Sequence, residues 1–170
     1  ISVPSPFRYG TAAIIAMAHD VVVTLGAASI LGRLFDFEID TLFITAMLTI
    51  VGFSVHDTIV VFDRIRENVR RANAAGYSPT LGESVNASLN QTLGRSLNTS
   101  LTAVLVLFTL IVLGGETIRD FVTIMAIGII SGTYSSIFIA SQLLVSWDEG
   151  DFRNPFRSEA PPVEAPRRPA

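Results

Sequence analysis

Most of this chain carries no charge, and the position of the uncharged stretches decides what it can fold into. From Tyr9 to Gly32 the single formal charge is Asp20, and from Thr41 to Phe62 it is Asp57. The stretches Ser96 to Gly115 and Phe121 to Trp147 carry none. Each is about 20 residues or longer, enough at 1.5 Å per residue to cross a hydrocarbon core roughly 30 Å thick. A helix in a water-soluble bundle needs a polar face, and these segments lack one. The sequence therefore predicts an all-α membrane protein with four transmembrane helices, at residues 9–32, 41–62, 96–114 and 121–147. Composition agrees: 16% of residues are charged and mean hydropathy is +0.51, where soluble domains carry about 25% charge.

The same composition narrows the function classes. All twelve basic residues are Arg, and a formal net charge of −3 supplies no basic field for nucleic acid. With no cysteine, disulfide frameworks, thiolate zinc sites and cysteine catalysis fall away together. No Gly-rich phosphate loop, Ser/His/Asp arrangement or paired catalytic carboxylates can be found, so neither an enzyme nor a cofactor is expected. The first span has no basic leader region or cleavage site, and three spans follow, so it reads as a span and not a signal peptide. The chain begins at Ile1 and not at Met, as a portion of a longer protein would.

Arginine placement predicts the orientation. Arg33 and Arg119 lie in the loops after the first and third spans. The other ten of the twelve lie before the first span, between the second and third, or in the C-terminal tail, which puts those regions and both termini in the cytoplasm. The central segment 63–94 reads as a cytoplasmic helical hairpin. Asp63 with Arg66, and Glu67 with Arg70 and Arg71, have the i,i+3 and i,i+4 spacing that would continue the second span. Gly76-Tyr77-Ser78-Pro79 breaks that helix, and Thr80 to Glu83 fits a capping box opening the next. Residues 1–147 thus form the transmembrane domain. Residues 148–170, with five of the eight prolines, read as a disordered cytoplasmic tail.

An ionisable side chain at membrane depth is costly and therefore a functional candidate. Two carboxylates qualify, each preceded by histidine: His19-Asp20 and His56-Asp57. Adjacent helical residues point about 100° apart, so each His and Asp are expected on different faces. No third ligand accompanies either pair at metal spacing, so no metal is expected. The third span opens with Arg95, followed on the same helical face by Asn98, Thr102 and Thr109. Arg95 and Asp57 lie roughly 28 Å and 24 Å from the outer ends of their helices. Such similar depths allow an ion pair, either a static tie between helices or a pair released when Asp57 takes up a proton. Asp20 could equally be a structural hydrogen-bond group or a relay, and the hydroxyls of the third span could be packing contacts. In the fourth span Gly128, Gly132, Ser136 and Ala140 recur at i+4, the spacing of close helix packing.

The stretch Val55-His56-Asp57-Thr58-Ile59-Val60-Val61-Phe62-Asp63-Arg64-Ile65-Arg66-Glu67-Asn68 closely resembles a signature of the SecD/SecF protein-export family, in its SecF-type members. Three further stretches match in order: Ala18-His19-Asp20, Asn90-Gln91-Thr92-Leu93-Gly94-Arg95-Ser96 and Gly114-Gly115-Glu116. The resemblance runs from about Phe7 to Trp147. It implies an RND-like helical bundle of which this chain holds the last four of six spans, without the large periplasmic domain. It implies a subunit of the bacterial inner membrane that works with SecD and the SecYEG channel, with YajC and YidC as further candidate partners. That subunit would use the proton-motive force on a translocating polypeptide within the membrane lipid. Asp57 and Arg95 match the positions linked to proton conduction, with part of the path supplied by a SecD carboxylate. His56 stands where many relatives carry Asn, a change that could alter the proton affinity of Asp57. Asp63, Arg64, Arg66, Glu67 and Asn68 complete the motif, although a solvated helix end would also account for that charge run. The alternatives are a proton-coupled RND-type exporter of small molecules or lipids, and a passive membrane scaffold.

Overall fold

The computed structural model describes residues 6–35, 39–76 and 79–149. Four rods make up the bundle: α1 (Pro6–Phe35), α2 (Thr41–Ala74), α3 (Leu81–Leu113), and a fourth built from α4 (Glu116–Tyr134), a π-helical turn (Ser135–Ala140) and α5 (Ser141–Glu149). Each rod is long and apolar enough to cross a membrane. Among the described residues there is no strand. The tail expected at 148–170 lies outside the described residues from 150 onward, while Asp148 still belongs to α5.

Local chemistry sets where the rods begin and end. Asp40 caps α2, accepting a 2.9 Å hydrogen bond from the Phe43 N–H, which fills one orphan donor of the first turn. Thr80 and Glu83 close a reciprocal capping box on α3, with bonds of 3.2 Å and 2.9 Å. Gly76, at φ +73°, takes the left-handed conformation that ends α2. The segment between the second and third spans is made of extensions of those spans. α2 runs unbroken through Phe62 to Ala74, and α3 from Leu81 through Ser96. Asn68 on α2 donates to Ser88 on α3 at 2.7 Å, and Arg64 to Gln91 at 2.7 Å, which ties the extensions together.

The charge pairing there differs from the spacing argument. Glu67 binds Arg64 at 2.6 Å and also Arg71, so it bridges both neighbouring turns. Arg66 does not pair with Asp63. Its guanidinium lies 5.9 Å from the centre of the Tyr9 ring, which in turn meets Phe62 edge-on at 5.2 Å. A cation over an aromatic face replaces the expected i,i+3 ion pair.

The interior is layered. One apolar cluster packs Tyr9, Ala12 and Ala16 of α1 with Val61, Phe62 and Ile65 of α2. Toward the other end, Ala28, Phe43, Ala46 and Ile124 form a second cluster, and Leu107, Val122 and Ile129 a third. Large apolar side chains such as Ile14, Val22, Leu48, Leu105 and Phe108 point outward, the arrangement of helices whose outer solvent is hydrocarbon or another helix. Between the apolar layers lies a buried polar one: Asp20, Ser54, Asp57, Thr58, Ser96, Ser100, Thr133, Ser135 and Ser136.

Close helix approach positions that layer. A Cβ on Gly128 would fall 2.6 Å from Ile50 Cγ1, and one on Gly132 would fall 3.2 Å from Ser54 Cβ. The two glycines let α4 lie directly on α2. Gly128→Ala should therefore lower stability by about 1–3 kcal/mol, the usual cost of overpacking. Denaturant unfolding of the full-length protein in detergent measures this, and Gly10→Ala, where a Cβ meets nothing within 4 Å, is the control.

Candidate functional site

The two intramembrane carboxylates occupy one buried layer but have different surroundings. Asp20, 1% exposed, is surrounded by hydroxyls. Its Oδ2 accepts from Ser54 of α2 at 2.5 Å and from Ser135 of the π-turn at 2.6 Å, and its Oδ1 lies 3.3 Å from the Ser131 hydroxyl of α4. His19 Nδ1 is also 3.2 Å from Oδ1. His19 stays partly exposed while Asp20 is buried, as expected of adjacent helical residues, but the imidazole is long enough to bend back and touch its neighbour. Asp20 thus links α1, α2 and the fourth rod through hydroxyl donors that offset the cost of burying a carboxyl group.

Asp57, 9% exposed, is less fully bonded. Its Oδ1 accepts from Ser96 of α3 at 2.8 Å. Its Oδ2 is buried and has no hydrogen-bond partner among the described residues. Ser136 of the π-turn lies in the same buried layer. Ser136 in turn shares a 2.9 Å hydrogen bond with Thr58, and its hydroxyl lies 3.4 Å from the Ser54 carbonyl. Further along α3, Ser100 meets Thr133 of α4 at 2.6 Å.

Arg95 does not pair with Asp57: among the described residues no ion pair joins them. Helical geometry accounts for the difference. Ser96, the next residue, turns inward to the carboxylate, and Arg95 is therefore carried to the exposed side of α3. Asn98, Thr102 and Thr109 follow Arg95 outward and do not line the interior. The inward polar face of α3 is Ser84, Ser88, Thr92, Ser96 and Ser100, each four residues after the last. That i+4 run is visible in the sequence and was the available signal for the Asp57 partner. The hydroxyls around Asp20 come from α2 and the fourth rod, and no local spacing connects them to Asp20. His56 is exposed on α2. Gly128, Gly132, Ser136 and Ala140 all lie on the buried side of the fourth rod, Ser136 as a hydrogen-bonding group as well as a small one.

A polar crevice of about 310 Å³ opens between α2 and α3, lined by Val60, Asp63, Arg64, Glu67, Gln91, Thr92 and Arg95. Val60 is one turn beyond Asp57 on α2, and Thr92 one turn before Ser96 on α3. The crevice therefore ends about one helical pitch, roughly 5 Å, from the Asp57–Ser96 contact. Its charged rim contains three motif residues, Asp63, Arg64 and Glu67. Asn68 tethers α2 to α3 and Arg66 packs on α1.

Similar proteins agree with this architecture. The profile described as "Protein export membrane protein SecD/SecF, C-terminal" matches residues 2–150. The protein translocase subunit SecF of Thermobaculum terrenum is 57% identical over 96% of this chain, which covers 50% of that protein. SecF of Anaerolinea thermophila is 47% identical over 96% of the chain and 52% of the relative. The chain thus spans about half the length of these curated relatives. A crystal structure of SecDF from Thermus thermophilus, described as a translocon-associated membrane protein, superposes with a TM-score of 0.76 at 45% identity, over 85% of this chain and 19% of that one.

The hydroxyl cage makes a quantitative prediction. Ser54→Ala should cost about 1 kcal/mol, in the range of single interhelical hydrogen bonds in membranes. Asp20→Ala should cost about 3 kcal/mol or more, because several buried hydroxyls lose their acceptor together. Equal losses in denaturant unfolding would mean that Asp20 does not tie the three helices. By sequence, fold and superposition, the chain belongs to the SecD/SecF family of protein-export membrane proteins.

Proposed function

We propose that this chain is the membrane-embedded portion of a protein-export subunit that works with SecD and uses the proton-motive force to promote translocation of secreted polypeptides. The observation that carries the reading is the buried Asp57 carboxyl group, with one oxygen lacking a hydrogen-bond partner among the described residues, about one helical turn from the inner end of a polar crevice. A proton arriving through that crevice can add to Oδ2 without first breaking a protein hydrogen bond. The remaining oxygen stays held by Ser96, so the carboxyl group keeps its place through the change.

Arg95 is the mobile charge in this scheme. It lines the crevice without an ion pair among the described residues, so it can approach the ionised carboxylate and withdraw when a proton neutralises it. Its exposed side, continued by Asn98 and Thr102, offers polar groups where a lipid-facing helix would be apolar. A SecD helix bearing a carboxylate would satisfy that face and complete the path. His56 borders Asp57 in sequence and modulates it from the outer surface. The assembly acts at the SecYEG channel in the bacterial inner membrane, with YajC and YidC as further partners, and both ends of this chain are cytoplasmic. The work is conformational and not enzymatic. In support, the curated relatives are called translocase subunits, and the Thermus thermophilus protein is described as translocon-associated.

The test is gradient-driven translocation in membranes holding the full-length protein and its partners. Asp57→Asn should abolish the stimulation by a proton gradient, and Arg95→Ala should reduce it at least about tenfold, while both proteins insert and fold. Wild-type stimulation with Asp57→Asn would refute proton coupling through this residue.

A further inference from the structure

Two charged side chains line the crevice without an ion pair among the described residues: Asp63 on α2 and Arg95 on α3. The other charges there are already engaged. Arg64 binds Glu67 at 2.6 Å and Gln91 at 2.7 Å, and Arg71 takes the second Glu67 oxygen. One spare negative charge and one spare positive charge therefore face the crevice from opposite walls.

Two contacts between the walls set the heights of these groups. Ser96 meets Asp57 at 2.8 Å, and further along the antiparallel pair Gln91 meets Arg64 at 2.7 Å. Arg95, the residue next to Ser96 on the way to Gln91, is thus level with the α2 turn just beyond Asp57. Val60 of that turn lines the crevice with it. Asp63 is six residues past Asp57, about 9 Å along the helix axis. The root of the Arg95 side chain therefore lies between the two carboxylates in height, and its long stem lets the guanidinium extend toward either.

We propose that Asp63 is a second station for Arg95, a positioning residue that receives the guanidinium at the mouth of the crevice when Asp57 is neutral and gives it up when Asp57 is ionised. The inference rests on the proton-coupling role of Asp57 and Arg95 proposed above. One proton transfer and one side-chain movement make up the step. A proton adds to Asp57 Oδ2 and forms an O–H bond, while Arg95 stays cationic and Asp63 stays ionised. Without a second carboxylate, an arginine leaving Asp57 would be an unpaired cation at the edge of the hydrocarbon, which is costly. That cost would hold Arg95 in place and oppose proton uptake. With Asp63 less than two turns away, one attraction replaces another. Asp63 is exposed, so pairing there requires little desolvation.

The remaining charged groups are paired or placed elsewhere. On α2, His56 is exposed beside Asp57, and Arg66 lies over the Tyr9 ring. From α1, Arg8 pairs with Asp148 of the fourth rod at 2.8 Å, and His19 lies against Asp20. α3 carries no charged residue or histidine other than Glu83 and Arg95, and the fourth rod carries none between Asp120 and Asp148. The carboxylates that face Arg95 are therefore Asp57, Asp63 and the already bridged Glu67.

The experiment uses the full-length protein in complex with its SecD partner, reconstituted with the translocation channel. The infrared carboxyl stretch of Asp57, identified by its loss in Asp57→Asn, is titrated against pH while gradient-driven translocation is followed in parallel. Asp63→Asn leaves Asp57 as the one unbridged carboxylate facing Arg95, so the ionised form is favoured and the midpoint should fall by about one pH unit. Translocation should fall several-fold, and Asp63→Glu should restore both. In an Arg95→Gln background Asp63→Asn should move the midpoint by less than about a third as much, because no guanidinium is left to redistribute. Glu83→Gln removes an exposed acid outside the crevice, keeps the capping box and should move nothing. Asp63→Ser replaces the asparagine variant if that one does not insert. If neither inserts while Glu83→Gln does, Asp63 is a structural group and the proposal falls. An unmoved midpoint with Asp63→Asn, or an equal shift with and without Arg95, also overturns it. If Asp57→Asn leaves gradient stimulation intact, the proton-coupling reading fails as well. If Asp57→Asn abolishes stimulation but Asp63→Asn behaves as wild type, only the second-station inference fails.

Discussion

A carboxyl group inside an apolar bundle must find hydrogen-bond donors, and this requirement organises the centre of the molecule. Asp20 has no arginine beside it, and the fourth rod has none to offer across its span. Its donors are hydroxyls instead, and hydroxyls are short. Their helices must come close, and the small residues of α4 permit it. Gly132 admits the Ser54 side chain, which then reaches Asp20, and Gly128 admits Ile50 one turn away. Glycine spacing, helix approach and carboxyl satisfaction are thus a single constraint. Lengthening any side chain at the contact would separate the hydroxyls from their acceptor.

Within this layer the two carboxylates play opposite parts because their hydrogen bonding differs. Asp20 has both oxygens engaged by groups from α1, α2 and the fourth rod, so moving it disturbs all three. Asp57 has one oxygen held and one without a hydrogen-bond partner among the described residues, and a polar crevice ends about one helical turn away. A fully engaged group suits a fixed point, and a half-engaged one suits a group whose charge changes. On the proposed reading, both are needed: a proton can do mechanical work only if something beside its acceptor stays fixed.

The charge pattern made the four rods legible in sequence, because about 20 consecutive residues with at most one charge do not suit a helix that must face water. Both carboxylates and the cap at Thr80 also follow from local signals, whereas Asp40 reads in sequence only as one charge of a loop. What misled was helical phase. Placing Arg95, Asn98 and Thr102 on one face is correct, but nothing in that triplet says whether the face looks in or out. The neighbouring run from Ser84 to Ser100 does, since five hydroxyls at i+4 on a long helix form a continuous stripe. The expected Asp57–Arg95 tie gives way to Asp57–Ser96 for the same reason. The cage around Asp20 was less accessible, because Ser54, Ser131 and Ser135 lie 34, 111 and 115 residues away. Only tertiary packing reveals it.

The π-turn is the feature with least warning in sequence, and it interrupts the best-buried rod. No proline accounts for it: the fourth rod contains none between Gly115 and Glu149. In the regular α-helix just before it, Ser131 and Gly132 are adjacent and both face Asp20, and Ser135 and Ser136 repeat those two positions four residues on. The wider turn begins where Ser135 reaches Asp20 and Ser136 meets Thr58, so the change in backbone hydrogen bonding falls inside the buried polar layer. There the side-chain hydroxyl bonds hold the backbone on two sides while its own ladder widens from four residues to five.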